Sequence, residues 1–414
     1  MKKVAIIGGG VVGLSSAYYL SELGYQVTVV SDDDQLKGCS YGNAGMIVPS
    51  HFIPLAAPGM VMLGLKWLLR NDSPFYIKPR FSKDLMSWGW KFYKAATPAH
   101  VQNAMHVLKE MNMESRNLYL QLVEEESLDF SLQTQGLFML CKTSHALKEE
   151  SIVAEQARGL GMNAETLSAA ELMSMETGVE MDVAGGVYFP MDAYMVPGLF
   201  MSGMKALLEQ RGVNFISEKV TGLDMRGSRI TALQTTADIL RADEFIVAAG
   251  AWSSELLKTL KVNIPMQGGK GYSIMVDQPP VYLRICALLS EARVSVTPMN
   301  GAIRFGGTME LNGTDRTVNS KRVGGIYKSI PQYYPQFANT DFQKSDVWVG
   351  LRPCSPDGLP YIGRFRHYDN LIAATGHSMM GMSLGPVTGK LVSQVVSGEK
   401  PDIDIAILNP DRYN

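Results

Sequence analysis

The sequence predicts an α/β protein in which a Rossmann-like domain is intertwined with a mixed-sheet α+β domain. Three observations predict it. The first thirty residues read strand, Gly-rich turn, helix, strand, which is the parallel βαβ unit. A second apolar strand ending in a small-residue turn, Phe245 to Ser253, and a third, Leu371 to Ala374 before a Gly-rich turn and a final helix, lie hundreds of residues away. No internal repeat or low-complexity linker separates them, so the strands of one sheet must be drawn from distant segments.

The elements follow in order. Val4-Ala5-Ile6-Ile7 is a short apolar run suited to a parallel strand covered on both faces. Gly8-Gly9-Gly10-Val11-Val12-Gly13 fits G-x-G-x-x-G in the required context, after a strand and opening a helix. Gly8 makes the tight turn, Gly10 lets a pyrophosphate approach the backbone, and Gly13 lets helix and strand close together, with Val11 and Val12 at the helix N-terminus. Ser15 to Leu23 reads as helix stopped by Gly24, and Val27 to Val30 as the second strand. An acid should end that strand to bind a ribose hydroxyl; here Ser31 stands there with Asp32 next, so either takes the contact.

Residues 59–125 read as mostly helical, with a loop from Asn71 to Pro79 and another at Pro98. Strands are expected at 136–140 and 185–189, with helices at 146–158 and 168–175 between them. A helix over 195–210 precedes strands at 213–220, 229–235 and 244–247. Residues 262–310 are β-rich, with turns expected at Gly268-Gly269, Asn300-Gly301 and Asn312-Gly313. The last helix spans 388–396. Two intertwined domains are expected, one over about 1–50, 193–260 and 336–414 and the other over about 51–192 and 261–335.

Composition excludes several classes. With 414 residues, 46% hydrophobic and 19% charged, the chain is an ordinary globular one. A net charge of −2 gives no footprint for nucleic acid. Four separated cysteines form neither a disulfide framework nor a zinc site and suit a reducing compartment, the cytoplasm. Six histidines without ligand spacing give no metal site. Lys2-Lys3 and the following apolar run are too soon cut by glycines for a signal peptide. No segment reads as a membrane span, because the longest charge-free run carries Pro49, Pro54 and Pro58.

Four motifs in this order carry a resemblance: the Gly8–Gly13 turn; Phe245-Ile246-Val247-Ala248-Ala249-Gly250-Ala251-Trp252; Gly350-Leu351-Arg352-Pro353 with Pro356-Asp357-Gly358; and Gly376-His377-Ser378-Met379-Met380-Gly381-Met382-Ser383-Leu384. Together the chain resembles the FAD-dependent D-amino acid oxidase superfamily. Ser40-Tyr41-Gly42-Asn43-Ala44-Gly45-Met46, Ala56-Ala57-Pro58-Gly59 and Gly269-Lys270-Gly271-Tyr272-Ser273 make it most similar to bacterial D-amino acid dehydrogenases. The resemblance implies an FAD-binding Rossmann-like domain and non-covalent FAD; Cys39 stands where the family offers Thr. It places Gly8, Gly10 and Gly13 at the pyrophosphate and Ser40, Asn43, Ala44, Gly45 and Met46 along the path to the flavin. Val220 then meets the adenine, Ala249, Gly250 and Trp252 belong to the second cofactor strand, and Gly376 to Leu384 wrap the flavin, with His377, Met379, Met380, Gly381, Met382 and Ser383 in that loop.

Arg352 matches the arginine that clamps the substrate carboxylate, and a planar guanidinium suits that task. Tyr272 or Tyr194 is a second donor to the carboxylate or a core tyrosine; Lys270 lies near the flavin or in a solvated turn. The implied reaction is oxidation of a D-amino acid or a cyclic imino acid such as D-proline or a hydroxyproline, with hydride passing to flavin N5 and electrons to a quinone or other respiratory acceptor. A soluble glycine- or sarcosine-type oxidase is one alternative, and a flavin-binding sensor without turnover another. Residues 66–94 hold seven basic side chains against two acidic, among Trp67, Trp88, Trp90, Phe92 and Tyr93. That composition suits either an anionic membrane surface on the inner face of the cell membrane, with Trp88 and Trp90 at headgroup level, or a packed amphipathic helix pair.

Overall fold

The computed structural model describes residues 1–32, 38–68, 73–77, 80 and 82–414. A six-stranded sheet forms around Lys3–Ile7, which pairs in parallel with Gln26–Ser31 on one side and Glu244–Val247 on the other. Asn214–Ser217 extends it beyond Gln26–Ser31; Leu371–Thr375 and then the antiparallel edge strand Tyr361–Arg364 extend it the other way. Val4, Ala5 and Ile6 are each at most 1% exposed, as a strand covered on both faces requires. One face packs on the helices Val11–Glu22, Pro98–Glu126, Pro197–Gln210 and Gly385–Ser397. The other packs on a three-stranded antiparallel sheet over residues 220–240. The interwoven α/β plan is therefore the observed one.

The second sheet has nine strands and mixed direction. Next to its edge strand Val347–Cys354 lies Gln267–Val276, paired antiparallel with it and with Ala302–Leu311. Val347–Cys354 lies within 336–414, so a segment grouped with residues 1–50 supplies an edge of the large sheet. Residues 294–299 and 302–311 form a hairpin on Asn300-Gly301, whose φ angles of 51° and 92° are those of a type I′ turn.

Three sequence readings need correction. Gly268-Gly269 is not a turn: it lies inside the Gln267–Val276 strand. A side chain at Gly269 would stand 2.8 Å from Cys354 Sγ, so this glycine serves close approach within the sheet. The 71–79 stretch is not all loop, since Phe75–Ile77 pairs in parallel with Met309–Leu311; three residues without flanking alternation leave no period to read. The expected strand 213–220 is two, Asn214–Ser217 in the parallel sheet and Val220–Arg226 in the small antiparallel one, parted at the polar pair Glu218-Lys219.

Candidate active site

Between the two sheets lies a cavity of about 1280 Å³, above the several hundred that a small ligand needs. Its first wall is the Gly-rich turn. Gly8 has φ +116°, and a Cβ there would meet the Ala248 carbonyl at 2.4 Å. Gly13 does not line the cavity; a Cβ on it would stand 1.9 Å from the Gly8 oxygen, so it permits helix and strand to close. Gly10, Val11 and Val12 line the wall at the helix N-terminus, where Ser40 Oγ accepts the Val11 N–H at 3.0 Å. Ser31 and Asp32 both line the cavity at the end of their strand, as do Val220, Ala249, Gly250 and Trp252. These groups could hold a dinucleotide: backbone donors and a helix N-terminus suit phosphate, and two short polar side chains suit a ribose. Asp33 and Asp34 lie outside the described residues.

A second wall is the loop after Leu371–Thr375. His377, Met379, Met380, Gly381 and Met382 line the cavity, whereas Gly376 and Ser383 stand behind it. Gly376, at φ +82°, packs on the Tyr361 ring. Ser383 Oγ donates to Asn112 Oδ1 at 2.6 Å and accepts the Val48 N–H. The Tyr119 hydroxyl donates to the Met382 carbonyl at 2.6 Å. Asn112 and Tyr119, on the long Pro98–Glu126 helix, thus position the loop; nothing in their sequence context marks them apart from the helix period. His377 is buried, and burial lowers its pKa to about 3. Thr388 spends its hydroxyl hydrogen on the Leu384 carbonyl, so His377 Nε2 donates to Thr388 Oγ1 at 2.9 Å. The histidine is a neutral support for the loop.

Arg352 projects from the edge strand into the cavity between these walls. Its Nη1 donates to the Thr308 carbonyl at 2.6 Å, and its guanidinium covers Gly271, where a Cβ would lie 2.3 Å from Nη1. Thr308 holds a left-handed φ of +69°, rare for a β-branched residue, and it turns that carbonyl toward the arginine. Among the described residues no carboxylate stands within 4 Å of Arg352. Burial among apolar groups lowers its pKa, so a carboxylate entering the cavity would find a poorly solvated, unpaired guanidinium.

Asn43, Ala44 and Met46 line the cavity; Gly45, at φ +74°, lies behind it under the Met195 carbonyl. Arg304 Nη1 holds that loop through the carbonyls of Tyr41 and Asn43. Cys39 also lines the cavity, and burial raises its thiol to about 12, which leaves it a poor nucleophile. Tyr272 lines the cavity, but its hydroxyl donates to Glu310 at 2.5 Å and accepts the Asn319 N–H. The expected free donor is therefore committed to a buried carboxylate. Tyr194 does not line the cavity; its hydroxyl donates to the Arg284 carbonyl at 2.8 Å, so as a substrate donor it is corrected. Lys270 is not in a solvated turn, and it does not line the cavity. It is 2% exposed within the strand, with Nζ 2.6 Å from the Thr317 carbonyl and 3.7 Å from Glu310. Sequence reading missed Ser50, His51 and Arg293, which line another side of the cavity.

The basic, aromatic segment divides. Trp88 is 5% exposed, stacks on Phe92 and donates Nε1–H to the Cys354 carbonyl at 2.8 Å, so it cannot sit among lipid headgroups. Trp90 and Tyr93 are 58% and 59% exposed, and Met62 and Met86 more so. Arg70, Asp72 and Lys78 lie outside the described residues. No helix among the described residues is long and apolar enough to cross a membrane, and none of their His, Cys, Asp and Glu side chains form a metal cluster.

Residues 3–395 match the family model described as FAD dependent oxidoreductase, and the chain belongs to that family. It is therefore a flavoenzyme, and the Gly-rich cradle, the loop at 376–384 and the cavity between them fit FAD. The chain is 33% identical over 417 residues to a D-amino acid dehydrogenase of Vibrio vulnificus, covering 97% of each chain. It is 30% identical over 420 residues to a D-amino acid dehydrogenase of Bradyrhizobium diazoefficiens, covering 99% of each. Among solved structures, glycine oxidase from Geobacillus kaustophilus matches with a TM-score of 0.80 over 100% of both chains at 22% identity. L-alpha-glycerophosphate oxidase from Mycoplasma pneumoniae with FAD bound matches with a TM-score of 0.71 at 17% identity, covering 97% and 98% of the two chains. At those identities the likeness is one of fold.

Proposed function

We propose that the chain is an FAD-dependent dehydrogenase of a D-amino acid or a cyclic imino acid of the D-proline or hydroxyproline type. The observation that carries this reading is Arg352: a desolvated guanidinium, unpaired with any carboxylate among the described residues, at the wall of the cavity that holds the cofactor cradle. Thr308 and Gly271 hold its plane, and the remaining N–H donors present a fork that fixes a substrate carboxylate. Fixing the carboxylate orients the α-carbon, and such positioning supplies a large share of rate in reactions of this kind. Bound FAD supplies the acceptor for the α-hydrogen and its electron pair. The apolar wall of Met46, Met380 and Met382 excludes water from the reacting centre. An imine product then hydrolyses to a keto acid and ammonia, or stays a cyclic imine.

The similarity to D-amino acid dehydrogenases favours a dehydrogenase, and so a quinone or other respiratory acceptor. The exposed Met86, Trp90 and Tyr93, on one helix with Lys83, Lys91 and Lys94, support a contact with anionic lipid. The test is anaerobic: purified holoprotein is mixed with D- and L-amino acids and imino acids while flavin absorbance is followed, and re-oxidation is then compared for oxygen and a soluble quinone. Bleaching by D-compounds with preferred transfer to quinone is expected. Brisk peroxide formation would hand the case to an oxidase, and no bleaching by any amino or imino acid would refute the reading.

A further inference from the structure

A buried hydrogen-bonded chain ends at the cavity wall. Asp192, in the turn after Gly185–Phe189, is fully buried. Its Oδ1 accepts the Ser50 N–H at 3.0 Å and its Oδ2 accepts the Ser50 hydroxyl at 2.5 Å. Ser50 Oγ is also 3.0 Å from His51 Nδ1. A serine has one hydroxyl hydrogen, and here it is given to the carboxylate. His51 Nδ1 must therefore carry a hydrogen and donate it to Ser50, which leaves the lone pair on Nε2. Ser50 and His51 both line the cavity.

The chain ends in the cavity that Arg352 enters. Thr308, which takes the Arg352 hydrogen bond, follows Gly307, and Gly307 pairs across the sheet with Val294. Arg293 directly precedes Val294 in the turn that enters this strand, with a left-handed φ of 53°, and it lines the same cavity. Arg293 is near enough to His51 for its charge to act on the ring. Arg352, Thr308, Arg293 and His51 all line this cavity.

We propose that Asp192, Ser50 and His51 form a proton relay that takes from the substrate ammonium the proton it must lose before its α-hydrogen can leave as hydride. The inference rests on the reading of the cavity as a D-amino or imino acid site. The substrate N–H bond breaks as His51 Nε2–H forms. The Nδ1–H of His51 passes to Ser50 Oγ, and the original Ser50 hydrogen passes to Asp192 Oδ2. One proton enters and one rests on Asp192; no electrons move in the relay. The amine keeps its lone pair, which assists departure of the α-hydrogen. After product leaves, the proton returns to solvent along the same path.

The surrounding charges suit these roles. Burial raises Asp192 to about 7, against the opposing pull of the two Ser50 bonds and the Arg116 charge on the Pro98–Glu126 helix. An acceptor poised near neutral pH is the efficient kind. Burial, then Arg293, lowers His51 to about 4, so the ring hands the proton on and does not keep it. The other titratable groups here are the Cys286 thiol, which burial and then Asp192 keep protonated, and Glu150, which lines the cavity and accepts the Ser290 hydroxyl.

The test is kcat/KM of the holoenzyme from about pH 5.5 to about pH 10.5, for wild type, Ser50→Ala and Asp192→Asn, with flavin content checked for each. Wild type should rise through an apparent pKa near 7 and then level. Ser50→Ala should lie about 10²-fold lower at neutral pH, lose the step near 7, and climb about tenfold per pH unit, because it draws only on substrate already neutral. It should approach wild type near the ammonium's own pKa. Recovery at high pH is something a merely structural serine would not produce. A uniform loss at every pH, or a variant profile matching wild type, overturns the relay. Asp192→Asn keeps an oxygen for Ser50 and should follow Ser50→Ala; a wild-type profile in a folded, flavin-loaded Asp192→Asn protein also overturns it. If wild type bleaches with no amino or imino acid, the reading of the site fails, and the relay with it.

Discussion

Removing the Arg352 guanidinium should cost the enzyme its hold on substrate while sparing the cofactor. One of its five N–H donors is spent on the Thr308 carbonyl, which leaves a fork free to take a carboxylate. The group is desolvated, and a charge-assisted pair lost in such a place is worth about 2–5 kcal/mol. At about 1.4 kcal/mol per tenfold, Arg352→Ala should lower kcat/KM by about 30-fold to a few thousand-fold. Arg352→Lys keeps the charge but not the fork, and should recover only part of that loss. The assay is anaerobic rapid mixing, with the rate of flavin bleaching followed against substrate concentration and the bound flavin measured separately. A flavin-loaded Arg352→Ala protein within about threefold of wild type, a difference of under 1 kcal/mol, would refute the clamp.

Further outcomes follow from the same geometry. Gly271→Ala places a Cβ 2.3 Å from Arg352 Nη1, and should raise KM by displacing the guanidinium with flavin still bound, read by the same bleaching titration. Gly8→Ala meets the Ala248 carbonyl at 2.4 Å at φ +116°, and should yield protein without FAD, read as lost visible absorbance and little flavin released on denaturation. Arg412 holds Asp357 through Nε at 2.7 Å and Nη2 at 3.0 Å, and Arg412→Met should cost about 3–5 kcal/mol in denaturant unfolding. Burial alone would raise the Asp357 carboxyl; the Arg412 charge and bonds outweigh it, and its folded pKa lies below the ordinary value. Its contribution is thus present above about pH 4 and lost as pH falls through the folded value, so acid melting should begin at higher pH in Arg412→Met. Trp90→Ser together with Tyr93→Ser should weaken co-sedimentation with anionic vesicles at low salt and leave flavin reduction unchanged.

Local patterns carried the cofactor half of this protein. An apolar strand, a Gly-rich turn and a helix at the N-terminus are contiguous, and their chemistry depends on neighbours a few residues apart; Gly8, Gly10 and Gly13 are legible for that reason. The Asn300-Gly301 hairpin is legible likewise, because its φ angles favour those residue types. Pairing between distant segments was not legible. Gly268 and Gly269 carry the local signature of a turn, yet sheet partners brought from the Val347–Cys354 strand and the 312–313 turn require their small size instead. Tyr194 and Tyr272 are alike in sequence, and only packing assigns their hydroxyls to the Arg284 carbonyl and to Glu310. Trp88 and Trp90 are two residues apart on one helix, and the fold buries one against Cys354 and leaves the other in solvent. Asp192 lies 142 positions from Ser50, and no spacing rule joins them. A hydrogen bond between such residues exists only after chain entropy has been overcome by burial elsewhere, so the partner of a polar side chain is a property of the folded core.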